Sequence, residues 1–248
     1  MSDSLSTRRV DAIMEIVSDD TVDVSELFSR PRLVPRCQFF NLIAGESFDW
    51  KDDEEMDLAG VNGRATVWNH INLYAPKVFV LSPPCTLYSA LVNMWGRKAM
   101  GEAKYQKRRE EADRLLSFAC EIGLHQLQCR QHFVFEHPDG ASSWKTGPLL
   151  HLSQQPDVIA TRFDQCRFGL RSPGSQQPIR KRTRLLHNVP QLCQAFGGAF
   201  CQCTVPHRRI EGSENGVQLS SLCETYPPLM VETMLAAIRA EVSVEFIN

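Results

Sequence analysis

Lys77-Val78-Phe79-Val80-Leu81-Ser82-Pro83-Pro84 decides the fold. Four consecutive apolar residues, two of them β-branched and none alternating with a polar one, suit a strand covered on both faces. Pro83 and Pro84 fix φ and remove backbone donors, so the ladder has to stop there. Working outward, a second strand is expected at His132-Phe133-Val134-Phe135-Glu136, stopped at Pro138. Between the two, Glu102 to Cys129 places Ala112, Leu115, Leu116, Ala119, Ile122 and Leu127 mostly on one helical face, with charges on the other. Strand, helix, strand in this order predicts an α/β fold with a mostly parallel, doubly wound sheet.

Towards the N-terminus, Thr21-Val22-Asp23-Val24 reads as a short strand, Leu33 to Ile43 as a compact helix ending at Gly45, and Ser47-Phe48-Asp49 as a further strand. After Trp144 the pattern weakens into short apolar pieces, until a last helix from about Pro228 to Ala240. Residues 1–20 are polar apart from Val10, Ile13, Met14, Ile16 and Val17, and are expected to form an extension outside the main fold. No linker interrupts 21–248, which is expected to be a single domain. Glu46 to Asp57 holds seven acids against one lysine and reads as a solvated loop.

Composition narrows the class. With 248 residues, 43% of them hydrophobic, and a net charge of −2, the chain can bury a core and is neither histone-like nor disordered. No apolar run approaches the roughly 20 residues of a membrane helix, and Met1 to Val10 has no signal-like core. An odd count of nine cysteines fits reduced thiols. The expectation is a soluble, intracellular protein without a membrane partner. Cys193, Cys201, Cys203 and His207 form the one metal-like cluster, but Cys201-x-Cys203 is tight for paired zinc knuckles. His207 follows at a plausible distance for a structural zinc, which stays the alternative; buried thiols are expected there ahead of a metal.

In doubly wound sheets the active crevice lies at the carboxyl ends of the strands. Two strands end in reactive groups, Cys85 after Pro83-Pro84 and Glu136 before His137-Pro138. If those strands are neighbours, both side chains face one crevice. The prolines hold Cys85 with little freedom, as a nucleophile requires, and Thr86-Leu87-Tyr88-Ser89 could start a helix whose amino end favours a thiolate. A turn with a buried thiol is the alternative. Glu136, desolvated at a strand end, could hold a proton near neutrality, or simply pair with an arginine.

Taken together, these segments resemble the cytosine-5 methyltransferases, and more narrowly the short divergent members of that superfamily. Ser82-Pro83-Pro84-Cys85-Thr86-Leu87-Tyr88-Ser89 resembles the family's Pro-Pro-Cys loop, and Phe135-Glu136-His137-Pro138 its Glu-Asn-Val strand end, without the Asn and Val. Cys166 to Leu170, then Arg182-Thr183-Arg184-Leu185-Leu186, is similar to the following Gly loop and Arg-x-Arg strand. Tyr226-Pro227-Pro228-Leu229-Met230 is similar to the start of the last helix near the cofactor. The collinear resemblance runs from about Asp23 to Ala240. It implies a Rossmann-like methyltransferase fold and S-adenosylmethionine as methyl donor. By the same resemblance Cys85 adds to carbon 6 of cytosine, Glu136 protonates ring nitrogen 3, and Arg182 or Arg184 contacts the base carbonyl. A base in a duplex would have to be flipped out.

Two stretches depart from the family. Its glycine-rich cofactor loop is replaced by Glu26-Leu27-Phe28-Ser29-Arg30-Pro31-Arg32, so the pocket is either reshaped or lost. Glu26, Phe28 and Pro83 are the cofactor-side positions the resemblance implies, with Asp49 for the ribose hydroxyls and Asp57 near the adenine. Between Arg184 and Tyr226 only about forty residues remain, too few for the family's target-recognition domain. Arg162 to Arg184, however, holds six arginines and one lysine against Asp164, which is either a solvated loop or the contact for a nucleic-acid partner; the resemblance puts DNA ahead of RNA. The alternative is a relative that has lost catalysis and binds nucleic acid only.

Overall fold

A computed structural model describes residues 21–49, 57–89, 92 and 96–244. The extension expected at 1–20 and the centre of the acidic loop lie outside the described residues. β1 (Val24–Leu27), β2 (Ala44–Phe48), β3 (Val78–Leu81), β4 (His132–Pro138), β5 (Ile159–Asp164) and β6 (Arg182–His187) form one sheet in the order β2-β1-β3-β4-β6-β5. β1 pairs in parallel with β2 and β3, and β3 with β4. β6 runs antiparallel to both β4 and β5. The sheet is therefore α/β and mostly parallel, as the apolar runs predict.

Helices cover both faces: α1 (Val61–Tyr74), α2 (Glu102–Gln128), α3 (Gly147–Ser153), α4 (Pro190–Phe196) and α5 (Pro228–Val244). The pleat of β3 shows why its run is unbroken. Phe79 and Leu81 pack with Leu116, Phe118 and Ile122 of α2 and with Val67 and Ile71 of α1. Val78 and Val80 point the other way, to Met230, Met234 and Ile238 of α5.

Several expected elements shift. The first strand begins at Val24 rather than Thr21 and continues through Ser25 and Glu26, both fully buried. Polar residues in a central strand hide the pattern; here Ser25 Oγ meets His70 Nε2 at 2.9 Å, so burial leaves the hydroxyl partnered. The compact helix contracts to a 3-10 segment, Val34–Phe40, closed by Asn41 in the left-handed region at φ 52°. α1 has no sequence signal because only Gly63, Val67, His70 and Ile71 of its fourteen residues are buried. Among the described residues no helix is long and apolar enough to cross a membrane.

The antiparallel end of the sheet is tied by a buried imidazole. His187 Nδ1 accepts the Val189 N–H at 3.2 Å, which leaves Nε2–H to donate to Thr161 Oγ1 on β5 at 2.9 Å. Burial pulls His187 down to about 4, and burial likewise pulls His137 on β4 down to about 4. Both rings are neutral in the fold, whereas the unfolded chain takes up protons as pH falls below about 6.5. Their contribution is complete above that value and is lost as pH drops towards 4, by about 2 kcal/mol for each ring at pH 5. Urea midpoints are expected to fall steeply between pH 7 and pH 5 in the wild type, and less so in His187→Gln. Parallel slopes for the two proteins would contradict this assignment.

Candidate active site

Register brings the two reactive strand ends together. Leu81 pairs with Phe135, so Ser82 and the Pro83-Pro84 turn leave β3 level with Glu136. Cys85 caps a single 3-10 turn, Thr86–Tyr88, rather than a helix long enough to carry a useful dipole. Glu136 is near enough to act electrostatically on the Cys85 thiol. Burial pushes the Cys85 thiol up, Lys181 opposes that shift, and Glu136 and Glu224 add to it.

His137 fixes the turn that carries Cys85. Its Nε2–H donates to the Pro83 carbonyl at 2.8 Å, and its Nδ1 accepts the Ser143 hydroxyl at 2.7 Å. A carbonyl can only accept, so the tautomer is set. Glu136 lies on the opposite side of β4 and is itself closely held. Lys181 Nζ approaches Oε1 at 3.5 Å and also donates to the Cys223 carbonyl at 3.0 Å. The Tyr226 hydroxyl donates to Oε2 at 3.4 Å and accepts from Ser82 Oγ at 2.5 Å. Tyr226 is buried, and burial raises its phenol well above the ordinary value, so it serves as a neutral donor. The Arg32 guanidinium stacks on its ring at 4.8 Å, with a buried Nε that has no hydrogen-bond partner.

Lys181 and Tyr226 thus hold Glu136, with Arg32 stacked on Tyr226, in the place that sequence reasoning had given to other residues, while His137 holds the Cys85 turn from the other face of β4. Arg182 and Arg184 are not brought to Glu136. In β6, Arg184 sits opposite His137 and Leu185 opposite Glu136, so strand alternation sends both arginines to the far face. There Arg182 pairs with Asp164 at 2.9 and 3.0 Å, while Arg184 donates to Asp139 at 2.7 Å and stacks on Trp144. Arg162 shares Asp139 at 3.0 Å, so three of the six arginines counted as a basic face are neutralised locally.

The positions assigned to a cofactor divide in the same way. Glu26 is fully buried, and its Oε1 accepts the backbone N–H groups of Arg32, Leu33 and Val34 at 2.9–3.0 Å and Ser47 Oγ at 2.9 Å. Phe28, with φ 68°, packs edge-on against Phe118 inside the core. Asp49 is buried directly after β2, beside the end of β1. Asp57 is exposed and accepts the Ala59 N–H at 3.0 Å, just ahead of α1. Pro83 is buried, with its carbonyl given to His137. Away from the crevice, the metal-like cluster is regrouped. Cys193 Sγ meets Thr161 Oγ1 at 3.2 Å, and Cys166 takes its place beside Cys201, Cys203 and His207.

No protein-family model matches the chain, and no curated protein matches it.

Two outcomes follow. Iodoacetamide should alkylate Cys85 about threefold more slowly at pH 7.5 in Lys181→Met and about threefold faster in Glu136→Gln, because thiolate fraction changes more than nucleophilicity does. Equal rates would remove both charges from the thiol's surroundings. Glu26→Ala strands three backbone donors and should cost about 3 kcal/mol in urea unfolding, with Glu26→Gln milder because one acceptor oxygen remains. A loss below about 1 kcal/mol would mean that water replaces the carboxylate.

Proposed function

We propose that this protein is a short, divergent cytosine-5 methyltransferase-like enzyme acting on nucleic acid, DNA ahead of RNA. The observation that carries the reading is the meeting of Cys85 and Glu136 at the carboxyl ends of two adjacent parallel strands. The carboxyl edge of such a sheet is where ligands bind. Cysteine, carboxylate and ammonium are also the groups that cytosine activation needs. Carbon 5 is weakly nucleophilic until the ring's aromaticity is broken. The Cys85 thiol proton passes to the Glu136 carboxylate and from it to ring nitrogen 3 as Cys85 Sγ bonds to carbon 6, which leaves carbon 5 enamine-like. S-adenosylmethionine, when bound, supplies the methyl group that carbon 5 takes. Water takes the proton from carbon 5 as the carbon 6–sulfur bond breaks and the Cys85 thiolate leaves, and the proton on ring nitrogen 3 returns through Glu136 to the thiolate. The cationic contact to the base carbonyl, which the resemblance gives to Arg182 or Arg184, falls in this reading to Lys181.

The wall next to this pair suits such a donor only in a reshaped form. Glu26 takes up the N–H groups of 32–34, so they are not available to a methionine carboxylate. Arg32 is the replacement: a guanidinium with a buried, unpartnered Nε is suited to a carboxylate. Asp49, at the end of β2, is the acid for the ribose hydroxyls. Arg167, Arg171 and Arg180 are exposed on the segment preceding β6 and would contact phosphates. The filled loop is also what favours the second reading, a catalytically inactive relative that keeps a nucleic-acid-binding face.

Calorimetry with S-adenosylmethionine, and trapping with an oligonucleotide containing 5-fluorocytosine, separate the two. The enzyme reading expects donor binding in the micromolar range, about −8 kcal/mol. It also expects a covalent adduct that needs the donor, is lost in Cys85→Ser and is kept in Cys129→Ser. Oligonucleotide binding without donor binding or adduct would establish the second reading. An adduct independent of Cys85 would overturn the site.

A further inference from the structure

We propose that Cys166, Cys201, Cys203 and His207 bind one structural zinc ion. The four residues each offer one ligand atom, and all these atoms lie within 4.8 Å of one another. Cys201 Sγ and His207 Nε2 are 3.2 Å apart. A tetrahedral zinc with its usual bond lengths holds sulfurs about 3.8 Å apart, and sulfur and nitrogen about 3.6 Å apart, so only small adjustments close the site. Three thiolates and an imidazole form a complete structural ligand set, with no open position for a substrate.

The surroundings are built for it. All three cysteines are free thiols. The Cys203 N–H donates to Cys201 Sγ at 3.4 Å, and the Cys201 N–H donates to Asp164 Oδ2 at 2.9 Å, which anchors the Cys201 backbone to the end of β5. Cys166 is buried on the short turn Gln165–Phe168 after β5. The other three ligands come from a stretch, 199–212, with no helix or strand, whose Phe200 and Val205 are exposed. A segment that buries so little cannot hold its path by apolar packing, and a metal cross-link to the sheet supplies that restraint. The ion also bears on the crevice. The Gln165 N–H, one residue from Cys166, donates to the Lys181 carbonyl at 3.0 Å. The metal therefore braces the strand entrance that carries Lys181. This assignment is independent of the methyltransferase reading.

Metal analysis of the wild-type chain, purified under reducing conditions from zinc-supplemented medium, is expected to find one zinc per chain. Replacement by cobalt is expected to give thiolate charge-transfer bands and the intense d–d absorption of a tetrahedral site. Cys203→Ser and His207→Ala should each lower zinc retention at least tenfold after brief chelator treatment, while Cys193→Ser should retain it fully. Both wild-type measurements stand even where a variant does not fold. Zinc below stoichiometry together with no tetrahedral cobalt spectrum, stoichiometric iron instead, a disulfide within Cys166, Cys201 and Cys203, or equal loss in Cys193→Ser would each overturn the assignment.

Discussion

The buried imidazole of His137 is the constraint on which the crevice depends. It lies wholly within the sheet, out of reach of water, and must find both a donor and an acceptor inside the protein. Ser143 supplies the proton for Nδ1 and the Pro83 carbonyl receives the proton of Nε2. The second bond joins β4 to the turn beyond β3, two residues before Cys85. Prolines can donate nothing from their backbone nitrogens, so the turn offers its carbonyl as the handle, and the histidine takes it. A single neutral ring thereby sets the spacing between the thiol-bearing turn and the strand that carries Glu136.

The two faces of β4 and β6 divide the polar work. On one, Arg162, Arg182 and Arg184 are matched with Asp139 and Asp164, and Trp144 covers the Arg184 guanidinium. Planar guanidinium groups suit such fixed pairs, and they seal the rim of the sheet. On the other, Glu136 receives one ammonium and one phenol. The difference comes from strand alternation alone: shifting β6 by one residue would exchange the two sets. Glu26 shows the same economy in the β1 loop. A glycine loop keeps its N–H groups for a ligand, whereas here a carboxylate from the chain satisfies them and holds the arginine-rich turn in place.

Much of this was legible in the sequence. Unbroken apolar runs marked β3 and β4, prolines marked where they stop, and the helical stripe between them pointed to the parallel sense; that Cys85 and Glu136 stand side by side needed the pairing of β3 with β4, which the sequence left as a condition. What stayed hidden did so for physical reasons. β1 carries Ser25 and Glu26 in its core, and their partners, His70 and the N–H groups of 32–34, are visible only once the chain has folded. α1 has too narrow a buried stripe to stand out. Arg182 and Arg184 were placed by motif spacing, but the face on which a strand residue lands depends on pairing register, which spacing does not carry. Lys181, one position earlier and just outside the strand, shows no periodic signal. Cys166 was separated from its cluster by thirty-five positions, and only the return of the chain past β5 brings it to Cys201.

Lysine rather than arginine beside Glu136 has a consequence of its own. An ammonium has three protons and no fixed plane. Lys181 brings its ammonium to Glu136 and to the Cys223 carbonyl at once. An ammonium can swing on its stem while keeping these partners, whereas a guanidinium locked to a carboxylate cannot. It also acts on two groups at once. The same charge that holds the Glu136 carboxylate opposes the rise that burial imposes on the Cys85 thiol. The Cys85 thiol and the Glu136 side chain therefore both face the same cation. The Lys181 backbone is held by the turn bearing Cys166, so the geometry of that contact passes through the cysteine cluster before it reaches the crevice.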